Sequence, residues 1–335
     1  MKAVQFNRFG PGHEVVEYVD VPDPGEPGPG EILVEILATP VNPSDFVNFA
    51  GLFGPAPPPL PAMAGGEAVG RIAKTGEGVH HLQPGDRVLA LSGGRGNWCE
   101  RIRMSAVGVV ALPKEADTLQ LAMMAVNPAT AWHMLKGFVQ LNRGEWILQN
   151  AGNSGVAHSV IRIAGLMGLR TVSVVRRADQ VAPLLAIGAD AVVIDRPDLV
   201  EDVRSATEGA PIRLAFDAVA GAGTARLARC LTRSGTVVTY GLLSSTDCLV
   251  GASDVVFRDV GLRGFWFTHW FETAPAAERN AVYDEIGRLI VDGTIKVEIE
   301  AVYPMSDVKQ ALLHANRPGR HGKILLSPNP HLTSH

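Results

Sequence analysis

The feature that most constrains this chain is a turn of small residues, Asn150, Ala151, Gly152, Asn153, Ser154 and Gly155, set between an apolar run and a helical pattern. Ahead of it, Trp146, Ile147 and Leu148 form a short continuous apolar run, the mark of a strand buried on both faces. Behind it, Val156, Val160, Ile163, Ala164 and Met167 recur at three- and four-residue spacing, which lays one face of a helix on a sheet. The helix is expected to stop at Gly168, and residues 171–175 read as a second strand. Strand, glycine turn, helix and strand together make the opening unit of a nucleotide-binding sheet, where small residues let backbone N–H groups approach a pyrophosphate at a helix N-terminus. The glycine spacing departs from the usual dinucleotide fingerprint, so the flanking elements carry this reading, and a purely structural turn is the alternative. The candidate cofactor residues in the turn are Asn150, Gly152, Asn153, Ser154, Gly155 and Val156.

The end of the second strand selects the cofactor. A carboxylate there bonds the ribose hydroxyls of NAD, whereas an arginine accommodates the extra phosphate of NADP. Here the strand ends in Arg176 and Arg177, which predicts NADPH; Asp179 close by keeps NAD as the second choice, and a solvated basic strand end is the plain reading.

A chain of 335 residues exceeds one typical core and suggests two domains. With a net charge of −4 and no long basic run, it lacks the electrostatic footprint of nucleic-acid binding. No apolar run reaches membrane-spanning length, and the N-terminus shows no signal-peptide pattern. The three cysteines, Cys99, Cys230 and Cys248, are scattered and odd in number, which argues against a disulfide framework. A cytoplasmic protein acting on a small molecule is expected.

Up to about residue 120, short strand-like runs alternate with Gly and Pro turns: 2–6, 32–38, 68–75, 87–91, 98–104 and 107–112. That spacing predicts an all-β barrel or sandwich. From about residue 121 the pattern changes to alternating helix and strand. Residues 121–136 read as helical, with Pro128 marking a kink or a fresh start. Strands are expected at 191–194, 214–218 and 236–240, and helices at 180–187, 200–207 and 224–231, which is a doubly wound parallel sheet. Strand character returns at 297–303 and 323–326, where the chain is expected to rejoin its first domain. The expected division is 1–122, then 123–270 for nucleotide binding, then 271–335.

Four stretches carry a family resemblance: ATPVNPSDF at 38–46, LPAMAGGEAVG at 60–70, NPATAW at 127–132 with QNAGNSGVA at 149–157, and LRGFWFTHW at 262–270. Across nearly its whole length the chain resembles the medium-chain dehydrogenase/reductase superfamily. Within it, the chain is most similar to the zinc-free mitochondrial-type 2-enoyl thioester reductases and their relatives, the quinone oxidoreductases. The resemblance implies an α/β chain: a GroES-like β-barrel domain and a Rossmann doubly wound parallel sheet, with a cleft between them and a homodimer formed through the nucleotide-binding domain. It also implies that Asn127 and Thr130 face the nicotinamide, with helix capping and support around Pro128 as the alternative. By the same resemblance Phe265 and Trp266 border the cofactor, and with Trp132 and Trp270 they line the acyl or ring end of the substrate pocket. Core packing is the other reading of these aromatics.

Many members of the superfamily hold zinc, which needs thiolate and imidazole ligands. In place of the family's cysteine stand Pro43, Ser44 and Asp45, and in place of its histidine stands Gly66 before Glu67. His80 and His81, adjacent in a turn, make a poor chelate, so no metal is expected. Without a metal, hydride transfer needs an already electrophilic substrate: an enoyl thioester, an enone or a quinone. In the enoyl case hydride goes to the β-carbon, charge develops on the carbonyl oxygen where donors are needed, and the α-carbon takes a proton from an acid. The resemblance implies that this acid is a tyrosine ahead of the LPxxxGGE segment, but here the AGLFG stretch carries Phe53, which has no proton to give. Nearby polar residues, Asn42 and Ser44 first and then Asp45 and Asn48, are candidate substitutes, although each is also a natural turn or cap residue. Five prolines in residues 54–61 stiffen the expected lip of the substrate site. Three functions follow: an NADPH-dependent reductase of activated C=C bonds; an NADPH:quinone oxidoreductase, which tolerates Phe53 because the reduced oxygens can be protonated by solvent; or a non-catalytic NADPH-binding sensor.

Overall fold

The computed structural model describes residues 1–91 and 96–332. The chain divides into two units, Met1–Val126 with Thr268–His335, and Asn127–Phe267.

The first unit opens with β1 (Lys2–Phe6), β2 (Val16–Asp20), β3 (Glu31–Pro40), β4 (Ala62–Met63), β5 (Ala68–Thr75), β6 (Arg87–Ala90) and β7 (Arg101–Ser105). β1 pairs antiparallel with β2 and β4 in a small sheet, while β3 pairs antiparallel with β5 and β7, and β5 with β6. The core is sealed by aromatics: the Phe49 ring stands edge-on to Phe6 at 5.3 Å and tilts against Trp98 at 5.9 Å. Each such burial contributes roughly 1.5–3 kcal/mol. Two expected strands differ from the structure. Trp98 and Cys99 make only a bridge to β1, with Val4 N donating to Trp98 O and Trp98 N to Ala64 O, so the strand begins at Arg101. Residues 107–112 form no strand, because Gly108, at a φ of 73°, turns the chain out of any ladder. The sequence reading also missed the helix Pro43–Phe49, which starts at a proline in its first turn and is closed by Asp45 accepting the Asn42 N–H at 2.7 Å.

The helix Asn127–Gly137 begins afresh at Pro128, as one of the two expected outcomes had it. The second unit then runs through β8 (Trp146–Gln149), β9 (Arg170–Val175), β10 (Ala191–Ile194), β11 (Ile212–Asp217), β12 (Thr236–Thr239) and β13 (Gly261–Gly264). All neighbours are parallel, in the order β10-β9-β8-β11-β12-β13. Every residue of β8 is buried, as a central parallel strand requires. The order reverses direction between β8 and β11, and in such sheets the ligand crevice lies at that point, beyond the carboxyl ends of the strands. β13 escaped the sequence reading because Gly261 and Gly264 are poor strand formers; pairing with β12 makes it a strand.

The chain then returns to the first unit with β14 (Ile299–Pro304) and β15 (Lys323–Ser327). β15 pairs parallel with β14 and antiparallel with β3, placing the last strands in the first unit's larger sheet. Among the described residues no helix is long and apolar enough to cross a membrane.

Candidate active site

In the second unit the glycine turn bridges β8 and the helix Gly155–Leu166. Ser154 caps that helix, its Oγ accepting the Ala157 N–H at 3.2 Å, and Gly152 N donates to Val174 O at 3.0 Å, which ties the turn to the end of β9. Two glycines are required by close approach. A Cβ on Gly152 would sit 2.9 Å from Ser173 Cβ, and one on Gly155 would sit 2.6 Å from Asn127 Nδ2. The second distance joins two sequence motifs: the amide of Asn127 lies against the amino end of the helix Gly155–Leu166, and Thr130, one turn on from Asn127, is buried. The helix N-terminus leaves its first N–H groups available to an anion, with Val156 in that first turn and Asn153 exposed at the apex. Asn150 is placed differently from the others in the turn. Both ends of its amide serve the protein, Nδ2 donating to Asp217 Oδ1 at 2.6 Å and Oδ1 accepting from Ala218 N at 2.8 Å.

Just past β9, Arg176 and Arg177 are both exposed, and Arg177 forms a two-pronged pair with Asp179 at 3.0 and 2.7 Å. Phe265, just past β13, stacks on His133 with ring centroids 5.9 Å apart and meets Phe138 edge-on. Trp266 is 42% exposed, and the ring of Trp132 is covered by the Lys136 ammonium at 3.4 Å. The aromatic stretch, read from sequence as one pocket lining, is divided: Phe265 and Trp266 belong to the second unit and Trp270 to the first.

In the first unit Trp270 donates through Nε1 to Glu278 Oε1 at 3.0 Å, and its ring packs with Phe271 and Tyr283. Phe271 and Tyr283 border a cleft of about 220 Å³ whose other walls include Leu89, Leu91, Met104 and Val109. Phe53 lies in the loop after the helix Pro43–Phe49, half-buried. Ser44 is half-buried in the first turn of that helix.

Asn42, just before the helix, is buried in a group of charges that sequence reasoning did not assemble. Its Nδ2 donates to Glu67 Oε1 at 2.6 Å, its Oδ1 accepts from Lys323 Nζ at 2.5 Å, and the other oxygen of Glu67 accepts the Val126 N–H at 2.9 Å. Lys323 Nζ also donates to Val41 O at 3.2 Å. Burial pushes Asp45 up to about 7 and Glu67 up as well, and pushes Lys323 down to about 8; the Asn42 contacts and the opposite charges counter these shifts only in part. These shifts fix a sign. Below about pH 7 the native Asp45 keeps a proton that the unfolded chain has already released, so stability falls as pH rises from the ordinary carboxylate range to about 7. Lys323 acts in the opposite sense: above about pH 8 the native chain releases a proton that the unfolded chain retains, so stability recovers toward the ordinary lysine range. The melting temperature of the wild type is therefore expected to pass through a shallow minimum between pH 7 and 8, and Asp45→Asn to flatten its acid side. Equal slopes for the two proteins between pH 5 and 7 would refute the assignment.

Comparison with known proteins agrees with this architecture. Residues 28–114 match the family described as "Alcohol dehydrogenase GroES-like domain", and residues 155–282 the family described as "Zinc-binding dehydrogenase". The mitochondrial enoyl-[acyl-carrier-protein] reductase of Rattus norvegicus is 33% identical over 293 residues, covering 86% of this chain and 78% of the relative. The chain belongs to the medium-chain dehydrogenase/reductase superfamily. Among solved structures of the superfamily, a putative NADPH:quinone reductase from Bacillus thuringiensis superimposes with a TM-score of 0.88 at 30% identity, over 97% of this chain and 98% of that one. The Escherichia coli quinone oxidoreductase, solved in complex with NADPH, gives a TM-score of 0.89 at 27% identity, over 98% of this chain and all of that one.

The donor set of this superfamily member does not fit zinc. Where a metal would need thiolate or imidazole, the chain has Asp45 and Glu67, whose oxygens are taken by N–H donors and whose charge is met by Lys323. Among the described residues no group of three or more His, Cys, Asp or Glu is arranged to hold a metal ion.

Proposed function

We propose that this chain is an NADPH-dependent reductase that transfers hydride, without zinc, to the activated C=C bond of a 2-enoyl thioester or enone. The observation that carries the proposal is a dinucleotide cradle, made by Gly152, Gly155 and the first turn of the helix Gly155–Leu166, in a chain whose metal-ligand positions hold an internally satisfied charge group. The kinship with enoyl-[acyl-carrier-protein] reductases favours the thioester.

When bound, NADPH supplies the hydride. The residues of the chain do the rest. The N–H groups around Ser154, Gly155 and Val156 would receive the pyrophosphate, with Gly152 and Asn153 shaping its approach, and Arg176 and Arg177 would take the ribose phosphate. Asn127, Thr130, Phe265 and Trp266 would hold the nicotinamide end. In the first unit, Phe53, Trp270 and the largely apolar cleft bordered by Phe271 and Tyr283 suit the hydrocarbon part of the substrate; Trp132, in the second unit with its ring covered by Lys136, is left out of that lining. Asn42 and Ser44 were the first candidate substitutes for the missing acid; with the Asn42 amide occupied by Glu67 and Lys323, Ser44 is the donor we assign.

Quinone reduction is the second reading, favoured by Phe53 and by the likeness to the B. thuringiensis protein. Single-turnover oxidation of bound NADPH by a short enoyl thioester, an enone and a simple quinone separates the readings. Oxidation by thioester or enone is expected. Oxidation by the quinone alone would replace the proposal with the second reading, and tight NADPH binding without any turnover would leave a sensor.

We further propose that the protein is a homodimer joined along β13. That strand is an edge of its sheet; its own Leu262 and the preceding Val256 and Phe257 are exposed, the last by 72%. Sedimentation at micromolar concentration should give twice the chain mass, and Leu262→Arg should halve it; a wild-type monomer would refute the pairing.

A further inference from the structure

We propose that Asp217 is the positioning residue of the cofactor crevice, holding the glycine turn after β8 and the loops after β11 and β12 at the spacing a dinucleotide needs. The inference rests on the NADPH reading above.

Asp217 ends β11 and is fully buried. Its Oδ1 accepts from Asn150 Nδ2 at 2.6 Å, Val219 N at 2.9 Å and Ala220 N at 3.0 Å; its Oδ2 accepts from Thr224 Oγ1 at 2.6 Å and Thr239 Oγ1 at 3.4 Å. These donors are all neutral. Three N–H donors converge on one oxygen and need an acceptor there, while the two hydroxyls at the other oxygen can donate or accept, so a carboxylate satisfies all five and an amide can still do so.

Three loops hang on this one group. The glycine turn reaches it through Asn150, whose Oδ1 in turn accepts Ala218 N. The loop after β11 wraps around it, and the wrap drives Ala220 and Gly221 to positive φ, 66° and 57°. The loop after β12 is then tied to the wrapped one, Leu243 N donating to Ala218 O at 3.1 Å and Ser244 N to Val219 O at 2.8 Å. On its other side the glycine turn is held to β9 by Gly152. The loops at the point where strand order reverses thus owe their mutual placement to one buried carboxylate, which explains why the amide of Asn150 is turned into the protein. Asn150 then acts on the cofactor through the shape of the crevice.

The test measures NADPH dissociation by fluorescence, melting temperature, and KM for the electron acceptor at saturating NADPH. Asp217→Asn keeps an oxygen for the three N–H donors and turns an amide to the threonine hydroxyls, which can rotate to accept; its NADPH affinity should stay within about threefold of the wild type. Asp217→Ala strands several buried donors and should weaken NADPH roughly ten- to a hundredfold, with KM for the acceptor little changed. Asn150→Asp adds a direct test. Two carboxylates at the spacing of this hydrogen bond hold the turn only while they share a proton and repel once both ionise, so the variant's NADPH dissociation constant divided by that of the wild type should be at least about ten at pH 8 and fall toward one at pH 5.5, a slope in the ratio that cancels the titration of the cofactor's own phosphate. If Asp217→Ala does not fold, that slope decides. NADPH binding within about threefold of wild type at pH 8 in Asp217→Ala or Asn150→Asp, whatever the change in melting temperature, would overturn the proposal. Failure of the wild type itself to bind NADPH would instead overturn the reading on which it rests.

Discussion

Phe53→Tyr should raise the single-turnover rate of enoyl thioester reduction by roughly a hundred- to ten-thousand-fold while leaving quinone reduction within about twofold. Once the β-carbon has received hydride, the α-carbon must take a proton, and a phenyl ring offers none. In the wild type that proton has to come from water or from a less well placed group. A phenol differs from the native side chain by one oxygen, and Phe53 is only half-buried in a loop flanked by Gly51 and Gly54 at positive φ, so the added hydroxyl meets little steric resistance. Quinone oxygens can be protonated from solvent, so that reaction serves as the internal control. A gain below about tenfold, beside a wild type that already reduces the thioester, would locate the acid elsewhere. A wild type that reduces only the quinone, restored to thioester reduction by the tyrosine, would mark Phe53 as the site of divergence from the enoyl reductases.

Replacing Arg176 and Arg177 together by alanine should weaken NADPH binding by about ten- to a hundredfold and NADH by less than about threefold, because a charge-assisted hydrogen bond contributes roughly 1.5–3 kcal/mol. Arg177 is paired with Asp179, and both are exposed. An exposed pair of this kind contributes only about 0–1 kcal/mol, so a phosphate dianion should displace the aspartate. Dissociation constants for both nucleotides at fixed ionic strength check this. Equal weakening of the two would remove the arginines from the phosphate site.

The architecture was legible in the sequence wherever the signal was local. The strand from Trp146, the small-residue turn and the period of the helix behind it predicted the unit that the structure places at the centre of the parallel sheet. The readings that failed lacked a local signal. β13 is four residues with a glycine at each end, and only the neighbouring β12 makes it a strand. Trp98 is apolar and in an extended context, yet its place is set by β1 and Ala64 rather than by a partner strand of its own. Asn42 and Asn150 read as turn residues able to reach a ligand, and the structure turns both amides inward.

By itself the sequence determined the two-part α/β plan, the nucleotide turn and the arginines at the end of β9, because periodicity, turn chemistry and side-chain type act over a few residues; that Phe53 stands in place of a tyrosine came from the family resemblance. The tertiary structure alone decided which polar groups are spent on one another. Lys323 meets Asn42 across 281 residues and Asp217 meets Asn150 across 67. A buried charge or carboxylate is tolerated only where partners satisfy it, and those partners are delivered by the order and direction of strands, which no stretch of sequence carries.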